Sequence, residues 1–137
     1  MIKILVLLSL IVFAAEDSKL IKAIHDGSIE EVKKLARNRT ELDWKDSDGF
    51  DAIYYSVSLN DVEKTQVLLQ SGALTKNLYS KNKESLLFEA TRLGSIKILE
   101  ILIKTDPSLL NIKNSDNESP LFVAVRSDQS KVVRYLV

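Results

Sequence analysis

Leu87-Phe88-Glu89-Ala90, which runs on through Gly94 to Ile103, returns 34 positions later as Leu121-Phe122-Val123-Ala124, running through Asp128 to Val137. One period earlier the same frame falls on Ile53-Tyr54-Tyr55-Ser56, and 33 positions before that on Leu20-Ile21-Lys22-Ala23. Periods of this size mark stacked supersecondary units, none of which can bury its apolar face alone. Such a stack offers an extended surface. It does not name the molecule that uses it.

Within each period the residues read as helix, tight turn, helix. A small residue marks the first helix: Ala23, Ser56, Ala90 and Ala124. Four positions on come Gly27, Asn60, Gly94 and Asp128, and glycine and asparagine accept the left-handed conformation that ends a helix. The second segment carries apolar residues at helical spacing: Ile29, Val32, Leu35; Val62, Leu68, Leu69; Ile96, Leu99, Leu102, Ile103. Polar turns precede the first helices, at Asp46-Ser47-Asp48-Gly49, Lys81-Asn82-Lys83 and Asn114-Ser115-Asp116-Asn117. Ser18, Ser85 and Ser119 stand where a helix N-cap is needed. Pro120 follows at the first helical turn, where a missing N–H costs nothing. Gly72 and Pro107 fall just past second helices.

This pattern, with Ser119-Pro120-Leu121-Phe122-Val123-Ala124 as its best match, resembles the ankyrin repeat. Gln70-Ser71-Gly72-Ala73 and Asp106-Pro107-Ser108-Leu109-Leu110-Asn111 are similar to the family's loop after the second helix. The resemblance covers Ser18 to Val137 and implies an all-α solenoid of stacked helix-turn-helix units with hairpin-like loops. About four repeats are expected, near 16–45, 46–79, 80–113 and 114–137, the last incomplete. There are departures. Tyr54, Phe88 and Phe122 replace the family's histidine, and Asp51-Ala52 and Ser85-Leu86 replace Thr-Pro.

Residues 1–14 read as a signal peptide. Lys3 precedes an apolar run from Ile4 to Phe13 broken only by Ser9, and Ala14-Ala15 leads into the acidic Glu16-Asp17. The run is shorter than the roughly 20 residues that a membrane span requires, so no stable span is expected after cleavage. The alternative is an apolar helix packed on the first repeat. With a leader, residues 15–137 form the repeat domain, exported to a periplasm or secreted, and a bacterial source is expected.

Composition removes several functions. Nineteen basic residues balance nineteen acidic ones, so no electrostatic case exists for nucleic acid. The chain has no cysteine, which excludes disulfides, thiolate metal sites and cysteine nucleophiles. His25 is the only histidine and lacks the partners that a metal site or catalytic triad needs. Asp43, Asp46, Asp48 and Asp51 lack the ligand run and closing glutamate of a calcium loop, and a hairpin turn explains them better. No phosphate-cradling glycine loop or nucleophile elbow is present. Neither an enzyme nor a cofactor is expected.

The resemblance also implies where a protein partner docks, because the family's partners meet the hairpin tips and the concave face of the first helices. Carried over, this selects Asp48, Phe50, Lys81, Glu84 and Glu118 at the tips, and Leu59, Arg92 and Arg126 at the helix ends. Trp44, the only tryptophan, is either packed on the adjacent loop or an interface anchor. Phe50 and Leu59 either pack between repeats or form a small exposed patch. The expected function is a protein-binding module, monomeric or weakly self-associating. The alternatives are a substrate-docking arm of a larger enzyme, or an envelope immunity or inhibitor protein.

Overall fold

The computed structural model describes residues 17–137. The leader expected over residues 1–14 lies outside the described residues. Layer one holds α1 (Lys19–Asp26) and α2 (Ile29–Leu35), and layer two holds α4 (Ala52–Ser58) and α5 (Val62–Gln70). Layer three holds α6 (Leu86–Leu93) and α7 (Ile96–Thr105), and layer four holds α8 (Pro120–Arg126) and α9 (Ser130–Leu136). The first helices pack in one row, α1 to α4 to α6 to α8, and the second helices in another, α2 to α5 to α7 to α9. This is an all-α ankyrin-type solenoid. The loops add two elements that the periodicity hides: α3 (Arg39–Asp43) and a 3₁₀ helix at Pro107–Asn111.

Capping sets the helix starts. The side chains of Ser18, Asp51 and Ser119 accept from the backbone N–H groups of Ile21, Tyr54 and Phe122. Those of Ser28, Asp61 and Ser95 do the same for the second helices. Each such cap is worth about 1 kcal/mol. Ser85 departs from expectation. It sits at the N-cap of α6, but its hydroxyl makes no cap bond and is buried without a partner.

The turns inside the layers follow the left-handed rule in three cases of four. Asn60, Gly94 and Asp128 have φ of 54°, 69° and 55°. Gly27 does not: its φ is −92°. Glycine is required there by space, because an added Cβ would lie 2.8 Å from the Ala23 carbonyl oxygen and 2.9 Å from its Cα.

The small marker residues Ala23, Ser56, Ala90 and Ala124 are all buried, which lets neighbouring helices approach closely. Leu20, Ile53 and Leu87 occupy the equivalent inward place in their layers. Leu121, at the same point of the repeat, is 36% exposed. Phe122 and Val125 are 55% and 61% exposed, whereas their counterparts one period earlier, Phe88 and Thr91, are fully buried. The cause is position. These side chains lie on the side of layer four away from layer three, and no described residue packs on that side.

Candidate protein-binding face

The hairpin tips repeat one device. At the first tip the Asp46 carboxylate accepts from the N–H groups of Asp48 (3.0 Å) and Phe50 (2.9 Å). At the third, the Asn114 side-chain oxygen accepts from Asp116 (3.1 Å) and Glu118 (2.9 Å). At the second, Ser80 Oγ accepts from Asn82 N–H at 3.2 Å, and Tyr79 pairs with Glu84 across an antiparallel bridge. Polar side chains thus replace the sheet that a short hairpin cannot build. The Ser115 N–H also donates to the Asn82 carbonyl at 2.8 Å, linking the second and third tips.

Asp48 and Lys81 are exposed at their tips, as a docking residue must be. Leu59, at the end of α4, is 49% exposed, and Leu93, its counterpart at the end of α6, is 41% exposed. Trp44 caps the C-terminus of α3 and is half-buried.

The remaining selected residues also make contacts within the fold. Glu84 is 7% exposed, and its carboxylate pairs with the Arg92 guanidinium and accepts from Asn114 Nδ2 at 3.2 Å. Arg92 is raised above its ordinary range, mainly by that hydrogen bond. One period on, Glu118 and Arg126 pair at 3.0 Å, with Arg126 more open to solvent. Each pair staples a tip to the first helix of its own layer. In layer two the corresponding residues are Phe50 and Ser58, and an aromatic cluster takes over. Phe50 stacks on Tyr54 with ring centroids 4.1 Å apart, and Tyr54 lies 4.9 Å from Tyr79. Phe50 is therefore packed between repeats and is not a projecting anchor.

The missing histidine of the repeat is replaced by a different tie. Asp51, 2% exposed, accepts from its own cap partner Tyr54, from Tyr79 Oη at 2.9 Å and from Asn77 Nδ2 at 2.9 Å. Tyr79 and Asn77 belong to the following hairpin, so one carboxylate joins two repeats. Burial raises the Asp51 pKa, and the three hydrogen bonds only partly oppose it. Burial also pushes the Tyr79 phenol up, helped by the nearby Asp51 charge.

Sequence reasoning missed a cleft beside layer one. It is about 380 Å³ in volume, and Trp44, His25 and Tyr55 line it. The His25 and Tyr55 rings meet edge to face at 5.2 Å, and the Tyr55 hydroxyl donates to Asp46. Burial, then that hydrogen bond, pushes the Tyr55 phenol above its ordinary range. Tyr55 follows Asp46 by nine residues, and only the folded turn brings them together.

Residues 74–137 match the family model of ankyrin repeats in three copies. No curated protein matches the chain. The matched segment begins in the loop before layer three and takes in layers three and four. The helical pairing of layers one and two continues the same architecture toward the N-terminus. Ankyrin repeats are protein–protein interaction modules, typically without catalytic activity, and a protein is the partner they indicate. Among the described residues no group of three or more histidine and carboxylate side chains is placed to hold a metal ion. No described helix is long and apolar enough to cross a membrane.

Proposed function

We propose that the chain is an exported binding protein that holds a protein partner on the face formed by its hairpin tips and first-helix ends. The observation that carries the location is the exposure of Leu59 and Leu93, at 49% and 41%, at equivalent points of adjacent layers. Two apolar side chains one layer apart form the nucleus of an interface, and Asp48 and Lys81 supply a polar rim. Trp44 lies on the same side, at the first loop. Glu84, Arg92, Glu118 and Arg126 support this face from within by holding the tips in place.

Export rests on the leader pattern of residues 1–14. Mass spectrometry of the mature N-terminus tests it: a chain starting after Ala14 is expected, and a chain starting at Met1 overturns export. The face is tested by affinity capture with the wild-type chain against Leu59→Asp/Leu93→Asp. Both substitutions are at exposed positions and leave the core intact. At least a tenfold loss of captured partner is expected, and equal recovery removes this face from the reading.

A further inference from the structure

We infer that the cleft beside layer one receives an arginine side chain presented by the protein partner. The inference rests on the binding function proposed above and names the chemistry that this function would use. The cleft's volume, about 380 Å³, is within the range of pockets that enclose a ligand group, roughly 300–1,000 Å³. It has room for a guanidinium together with part of its aliphatic stem.

Its lining sets both the sign and the shape of the guest. Trp44, Tyr55 and His25 supply ring surfaces. Asp17, Asp26 and Asp46 place three carboxylates around them, against the single cation Lys22. Among the described residues, none of the three carboxylates is in an ion pair with a lysine or arginine. An anionic guest would meet uncompensated repulsion. An apolar guest would strip water from the Asp17 and Asp26 carboxylates and give them no partner, whereas Asp46 already accepts from Asp48, Phe50 and Tyr55. A cation satisfies both demands.

Between the two cationic side chains, the rings decide. A guanidinium is planar and weakly hydrated, stacks on tryptophan and tyrosine faces, and projects several N–H donors at its edge toward carboxylates. A lysine ammonium is strongly hydrated and offers no flat surface to a ring. The Tyr55 hydroxyl is already committed to Asp46. This holds the ring in the lining of the cleft beside Trp44, where a flat cation can meet the two aromatic side chains. The contrast with layer three is instructive. There Arg92 of the chain itself lies with Tyr54, Glu84 and Glu89 around a space of only about 80 Å³. The chain thus fills one aromatic and acidic site with its own arginine. At the corresponding point of layer one it carries His25, and no described residue fills the space.

Trp44 is the only tryptophan, so its fluorescence reports on this cleft alone. The full chain is titrated with an end-capped tetra-arginine peptide, with tetra-lysine and tetra-citrulline peptides as parallel arms. A saturable change in Trp44 emission is expected with tetra-arginine, at least fivefold weaker binding with tetra-lysine, and no response with tetra-citrulline. Asp26→Asn, an exposed change that leaves packing intact, is expected to weaken tetra-arginine binding at least threefold. No saturable change, equal binding of the arginine and lysine peptides, or an unaltered affinity in Asp26→Asn each overturns the cleft. If the captured partner binds wild type and Asp26→Asn equally, the proposed binding function stands and this inference falls.

Discussion

Layers three and four carry nearly the same side chains and treat them in opposite ways. Leu87, Phe88, Thr91, Leu99 and Leu102 are all fully buried. Their counterparts one period on are Leu121, Phe122, Val125, Val133 and Leu136. The first three of these are exposed, and the last two are half-buried. The sequence is, if anything, more apolar where it is more open, since Val125 stands for Thr91. Burial in a solenoid is therefore a property of the seam between layers and not of the layer itself.

The largest effect that tests this contrast is Phe88→Ala against Phe122→Ala. Removing the buried ring is expected to cost about 3–5 kcal/mol, a large share of the about 5–15 kcal/mol that holds a typical domain together. The same change in layer four is expected to cost under about 1 kcal/mol. Urea unfolding of both variants measures it, and equal losses would show that layer four is covered after all.

A smaller contrast lies in the ion pairs. Glu84→Gln leaves the Arg92 guanidinium without its main partner beside a buried side chain, and about 1–2 kcal/mol is expected, discounted because Arg92 is itself part-exposed. Glu118→Gln breaks the equivalent pair, whose Arg126 is 57% exposed; a loss of about 0.5 kcal/mol or less is expected. Unfolding of each single variant, and of each with its arginine also removed, separates the pair energy from the cost of an orphaned charge.

The subtlest effect concerns the cap of layer two. Burial holds the Asp51 carboxyl above its ordinary pKa in the folded chain. A raised folded pKa means that the folded state binds the proton more tightly. The associated stability is present below the unfolded pKa and is lost as pH rises through the folded one. Asp51→Asn removes that dependence, so the stability of the variant relative to wild type should climb between pH 4 and pH 7. The matching change at the half-buried cap of layer four, Ser119→Asn, has no ionisable group and should shift stability equally at both values. Unfolding curves at the two pH values decide it, and a flat difference for Asp51→Asn would mean that its carboxyl titrates as in water.

Much of this arrangement was legible in the sequence because the period is long, regular and carried by the core. Leu20, Ile53, Leu87 and the small markers locate the layers by their spacing alone. The solenoid's seams were harder, since no single residue encodes its neighbour: Leu121 reads the same as Leu87. Local chemistry also misled where space outweighed conformation. Gly27 ends α1 as expected of a glycine, but through close approach to Ala23 and not through a positive φ. Ser85 has the right residue type for a cap and makes no cap bond. The Glu–Arg pairs, in contrast, left a visible signal: Glu84 with Arg92 and Glu118 with Arg126 repeat the same eight-residue spacing one period apart. That coincidence marks them as staples between a tip and its first helix. The cleft left almost no signal, because Trp44, Tyr55 and His25 come from three elements.

The open side of layer four has a kinetic meaning. Among the described residues, layers two and three each share a seam with a layer on either side, and layer four shares one, with layer three. In the chain as described, the amides of α8 and α9 should exchange with solvent before those of α6. A protease would likewise reach that margin before the aromatic and carboxylate lattice around Asp51.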